Sequence, residues 1–243
     1  MTEAHQQEAR SSICIVGCSP MLDTISLEHS ILNGCNHIMA VNGAGAWLLD
    51  RNIAPDSFGL FEAGSVDHFG DVALELSLQH EAKLWFSPDA FRRATRTGHV
   101  LAGITLGDVA GKVGPPWLYE AHDINHGAPR YSMGSGMYAA CVAAANYDYG
   151  DIHLIGMEGR DPERMYAQGI EGNSRGMSDE QIIGENREAA RTLLWLCLKY
   201  PARSFIVHGD CKLPLPWGEP DKPANLHRAD VAAKSVFTEG GAP

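Results

Sequence analysis

Two short turns built from glycine and serine constrain this chain most. The first follows an apolar run, Ile13-Cys-Ile-Val16, and reads Gly17-Cys-Ser-Pro20. The second reads Gly134-Ser-Gly-Met-Tyr138, opens an alanine-rich helix, and leads into a second apolar run at 152–156. A strand, a tight turn and a helix start present backbone N–H groups to an anion. Two such elbows in one chain point to a phosphorylated ligand held between two parts of one sheet. The first elbow is not the GxGxxG dinucleotide fingerprint, and no GxxxxGK[ST] phosphate loop occurs.

The rest of the chain alternates strands with helices. Strands are predicted at 12–17, 37–41, 57–61, 83–86, 152–156 and 203–207. Helices are predicted at about 22–33, 44–51, 66–79, 91–97, 134–147 and from the capping box Ser178–Gln181 to about Tyr200. That alternation predicts an α/β fold, a Rossmann-like doubly wound, mostly parallel sheet with helices on both faces. In such a sheet the ligand binds beyond the carboxyl ends of the strands. Those ends carry Gly17-Cys-Ser19, Asn42, Glu62, Gly156-Met-Glu158 and His208-Gly-Asp210. Residues 1–11 read as a flexible lead and 12–213 as a single nucleotide-binding domain. Glycines and prolines crowd a lid-like insertion near 98–133, and 214–243 reads as a proline-rich surface tail.

Charge narrows the partner. Thirty Asp and Glu against nineteen Lys and Arg give a net charge of −11. DNA, RNA and anionic membranes need a basic surface, so no nucleic-acid partner is expected. A small nucleotide needs only local donors. No apolar stretch is long enough for a membrane span. The six cysteines show no disulfide framework and no zinc spacing, and Cys14, Cys141 and Cys197 read as small core hydrophobes. A reduced, cytoplasmic setting follows. Self-association into a homo-oligomer stays open.

The candidate nucleotide-binding residues are Gly17, Ser19, Pro20, Asn42, Ser135 and Gly136. Structural readings compete: Ser19 as a helix N-cap with Pro20 in the first turn, Asn42 as a turn residue, and Ser135-Gly136 as helix packing. Candidate catalytic residues are Glu62 and His126 as bases and Arg130 as a cation for the leaving phosphate. No metal site is assigned, since His122 and His126 have helical spacing without the HExxH glutamate.

The order of these pieces resembles the Rossmann-type superfamily of bacterial family-42 sialyltransferases and 6-hydroxymethylpterin diphosphokinase-like proteins. The resemblance runs over about 12–210 and rests on Gly17-Cys-Ser-Pro-Met-Leu22, Ala40-Val-Asn-Gly43, Gly134-Ser-Gly-Met-Tyr138 and Ile152-His-Leu-Ile-Gly-Met-Glu158. In the sialyltransferase branch the matching elbow, asparagine and Ser-Gly helix start hold CMP, and a loop tyrosine contacts its phosphate. Tyr166 is the nearest match. That branch uses a loop histidine as base, whereas Tyr166 to Gly184 contains none. The diphosphokinase branch uses an aspartate-rich segment, whereas Pro55-Asp56 here leads to a strand ending in one acid, Glu62.

The resulting expectation is a nucleotide-binding transferase that takes a nucleotide-sugar donor of the CMP-sugar type. One alternative is a Mg²⁺-dependent diphosphokinase with Glu62 and Glu158 sharing the metal. Another is a non-catalytic nucleotide-binding protein that kept the fold.

Overall fold

The computed structural model describes residues 11–24, 31–99, 115, 134–161, 163, 166–168, 170 and 177–229. Its frame is a sheet of seven strands: β1 (Ser12–Val16), β2 (His37–Val41), β3 (Ser57–Leu60), β4 (Lys83–Phe86), β5 (Asp151–Ile155), β6 (Ser204–His208) and β7 (Leu226–Ala229). Their order is β4-β3-β2-β1-β5-β6-β7, and every neighbouring pair is parallel. The strand order reverses between β1 and β5. The Rossmann-like doubly wound expectation holds.

Alternation along each strand divides the core between two layers. Ile13 and Ile15 of β1 and Ile152 and Leu154 of β5 face α4 (Gly134–Asn146) and α5 (Asp179–Lys199). Cys14 and Val16 face the opposite layer, α1 (Ala44–Leu49), α2 (Ala63–His80) and α3 (Pro88–Thr97). The β1 side chains are buried on both faces, which explains their unbroken apolar run. Alanines from Ala139 to Ala144 let α4 lie close to the sheet. Ser178 and Gln181 form the predicted capping box of α5.

Several expectations change. The helix expected at about 22–33 is replaced, within the described residues, by two 3-10 turns at Pro20–Thr24 and Ile31–Gly34. Short-range bonds favour the tighter turn, with Leu22 N–H donating to Ser19 O and Thr24 Oγ1 to Met21 O. Residues 25–30 lie outside the described set. Helix α2 starts three residues earlier than expected, and α3 starts at Pro88, capped by Ser87 Oγ accepting from Ala90 N–H.

Cys14 is not a free core thiol. It forms a disulfide with Cys35, which the turn after Gly34 brings beside β1, with 6.1 Å between the Cα atoms. Such a span suits a disulfide.

Residues after 213 do not all form a surface tail. Leu215 is buried, and β7 extends the sheet beside β6. The Asn225 side-chain amide anchors the approach to β7, donating to the carbonyls of Cys197, Tyr200 and Arg203. Lys222 Nζ donates to Leu226 O at 2.6 Å.

The lead expected at 1–11 lies outside the described residues apart from Ser11. So does the lid expected at 98–133, apart from Gly98, His99 and Pro115. Among the described residues, no helix is long and apolar enough to cross a membrane.

Candidate functional site

A cavity of about 400 Å³ opens beyond the carboxyl ends of β1 and β5, where the strand order reverses. That is the place where open α/β sheets bind ligands, and the volume suits a small molecule. Gly17, Ser19, Asn42, Glu62, Ser135, Gly136 and Tyr166 all line it. Pro20 does not line it; it starts the 3-10 turn behind the wall. His126 and Arg130 lie outside the described residues.

The first elbow faces inward. Gly17 N–H donates to Ile155 O at 2.8 Å, and Ser19 N–H donates to Gly156 O at 3.1 Å. Gly17 and Gly156 meet backbone to backbone. A Cβ on Gly17 would run into the Gly156 carbonyl oxygen, and Gly156 has φ +65°. Ser19 Oγ donates to Glu158 Oε1, and Met21 N–H reaches the same oxygen at 3.3 Å. The expectation that these N–H groups and the Ser19 hydroxyl point at an anion is therefore corrected. The end of β5 takes them first.

Glu158 is only 6% exposed, and its Oε2 is buried without a hydrogen-bond partner. Burial pushes its carboxyl above the ordinary carboxylate range. The Ser19 and backbone hydrogen bonds oppose that rise, and Asp210 adds to it. The Glu158 carbonyl accepts N–H groups of Lys212 and Leu213, so one residue joins the elbow, β5 and the chain beyond β6.

The second elbow faces the cavity. Gly134 takes φ +74° and turns the chain into α4, whose first residues line the wall. The first N–H groups of a helix have no partner within it, and the helix dipole favours negative charge there. Ser135 is 7% exposed, and its Oγ donates to Glu62 Oε1 at 3.0 Å. Gly136 sits so close to Met157 that a Cβ there would lie 3.0 Å from Met157 Cε. Opposite stands Asn42, with φ 53° and an Oδ1 that is buried without a partner.

Arg160 and Glu185 also line the cavity, unanticipated from sequence. The Arg160 guanidinium pairs with the Glu185 carboxylate at 3.1 Å. The Asn186 side chain fixes the Arg160 backbone, accepting its N–H at 2.9 Å and donating to its carbonyl at 3.0 Å. Burial raises the Glu185 carboxyl, Arg160 opposes this, and the negative charge of Glu62 adds to it. The nearest sequence signal is a pair of polar residues, Glu185-Asn186, inside a helix whose neighbours Ile182 and Ala190 are buried. Phe69, Ile170 and Met177 supply apolar wall.

The last expected strand end does not join the site. His208 pairs with His153 at 3.0 Å, and Asp210 bonds Lys212 and Arg228. Among the described residues, no group of three or more His, Cys, Asp or Glu side chains is placed to hold a metal. Glu62 and Glu158 face different serines, so the shared-metal arrangement does not fit their present contacts.

No protein-family model matches the chain, and no curated protein matches it. A solved structure, that of the MAf glycosyltransferase from Magnetospirillum magneticum AMB-1, is similar to it. The TM-score is 0.51 and the identity 15%, over 94% of this chain and 35% of that one. This is a likeness of fold. The chain spans about a third of that protein's length.

Proposed function

We propose that the chain is a nucleotide-binding transferase of the glycosyltransferase type, with a CMP-sugar as donor. The observation that carries this reading is the cavity at the β1/β5 reversal, with the first turn of α4 on one side and the unpartnered Asn42 oxygen on another. The likeness in fold to a glycosyltransferase supports it. In this reading the phosphate rests on the N–H groups of Ser135 and Gly136, and Tyr166 closes on it. Asn42 Oδ1 accepts from a donor on the base or ribose. Gly17 and Ser19 shape the wall rather than supplying donors.

Glu62, exposed at the rim, is the base proposed for the acceptor hydroxyl. Arg160 is a cation already at the wall for the leaving phosphate. His126 and Arg130 remain candidates on sequence grounds.

Calorimetric titration with CMP, UMP, GDP, ATP and CMP-sialic acid tests the reading. One mononucleotide should bind, with only mild dependence on salt, because the contacts are local and charge-assisted. If none binds, or if nucleic acid binds tightly at physiological salt, the reading fails.

A further inference from the structure

The first elbow holds chemistry that nucleotide binding does not use. Ser19 stands in the cavity wall with its hydroxyl donating to the Glu158 carboxylate. Met21 N–H lies 3.3 Å from that carboxylate oxygen and 3.4 Å from Ser19 Oγ, so one backbone donor holds both groups in register. The other carboxylate oxygen is buried and unpartnered.

A mere fastening of the turn does not call for this pair. The Gly17 and Ser19 N–H bonds to β5 already make that fastening. Burying a carboxylate with one unsatisfied oxygen is costly, and two well-packed apolar groups would serve as well or better. A hydroxyl bonded to a buried carboxylate at a cavity wall is instead the arrangement of a nucleophile and its base.

We propose that Ser19 and Glu158 are a nucleophile–base pair that cleaves small carboxylic esters bound in this cavity. Phe69, Ile170 and Met177 offer an apolar surface to the acyl group. Ser19 Oγ bonds to the acyl carbon while its proton passes to Glu158 Oε1 and the carbonyl electron pair moves onto oxygen. Collapse of this intermediate breaks the bond to the alcohol oxygen, which leaves with the proton from Glu158. Water then gives a proton to Glu158, adds to the seryl ester, and releases the acid as the proton returns to Ser19. The sum is ester plus water to acid plus alcohol. The first turn of α4 lines the same cavity and supplies N–H groups suited to the oxyanion.

The test is covalent labelling of the full chain with a fluorophosphonate, read by intact and peptide mass. It needs no knowledge of the natural ester and is independent of nucleotide titration, so either proposal can fail alone. One adduct is expected, on Ser19. Ser19→Ala should abolish it, and a folded Glu158→Gln should slow it about 100-fold.

If Glu158→Gln does not fold, the wild-type pH profile decides. Labelling should weaken as pH falls through the titration of a carboxyl held above its ordinary range by burial. No adduct on Ser19, equal labelling of a folded Glu158→Gln, or a pH-independent rate would each overturn the proposal.

Discussion

After β1 the chain turns at Gly17 against the backbone of Gly156, and the turn's donors go to β5 and its serine to Glu158. After Gly134 the chain turns into α4, and the first residues of that helix line open space. Both turns place a serine on a carboxylate. At the first, that carboxylate, on Glu158, is 6% exposed; at the second, Glu62 is exposed. Similar residues thus do different work. The first elbow joins the two halves of the sheet, and the second faces the cavity. What decides the difference is whether a neighbouring strand end is near enough to claim the N–H groups.

Substitutions can break this contrast. The largest effect should come from Gly17→Ala, whose methyl meets backbone on the facing strand. We expect a stability loss of about 3 kcal/mol, measured by urea denaturation. A loss under about 1 kcal/mol would mean that the two strand ends are free to separate.

Ser135→Leu should behave in the opposite way. Its bulk enters the cavity, so mononucleotide affinity should fall about 100-fold, about 2.7 kcal/mol, with the melting temperature nearly unchanged. Unchanged affinity in calorimetry would remove the second elbow from the site.

Gly134→Ala sharpens the comparison. No atom lies within 4 Å of its missing Cβ, so only the φ of +74° is strained. The expected cost is about 1 kcal/mol, well below that of Gly17→Ala, by the same denaturation.

The smallest effect concerns acidity. Burial raises the Glu158 carboxyl above its ordinary value of 4.5, so the folded chain keeps that proton to higher pH than the unfolded chain. Its contribution to stability is therefore greatest below the ordinary value and is lost as pH rises through the raised one. Melting curves of Glu158→Gln against wild type should show a flatter fall with rising pH. Parallel curves would mean that the carboxylate is solvated.

Much of the frame was legible because periodicity and small residues carry it. The apolar run of β1, the alanines of α4 and the capping box of α5 each announce their element locally. Of the site, Asn42, Ser135 and Gly136 were legible as the ends and starts of such elements. Arg160 was not, because Asn186 and Glu185, more than twenty residues further along the chain, hold it in place. The inward aim of the first elbow was equally hidden, since it depends on Gly156 across the sheet. Cys35 reaches Cys14 through a turn that no pattern marks. Strand β7 offered one buried apolar residue, Leu226, beside exposed His227 and Arg228, too little for an alternating pattern.

That last strand has a practical consequence. With β7 in place, the ladder groups of Phe205 to His208 are paired on their outer side. A chain cut after residue 213 would lose this cover and bare Phe205-Ile-Val207, a β-branched and aromatic run. Unpaired edges of that composition recruit strands from other molecules, and the shortened protein would aggregate rather than remain dispersed. Expression boundaries should therefore retain Ala229.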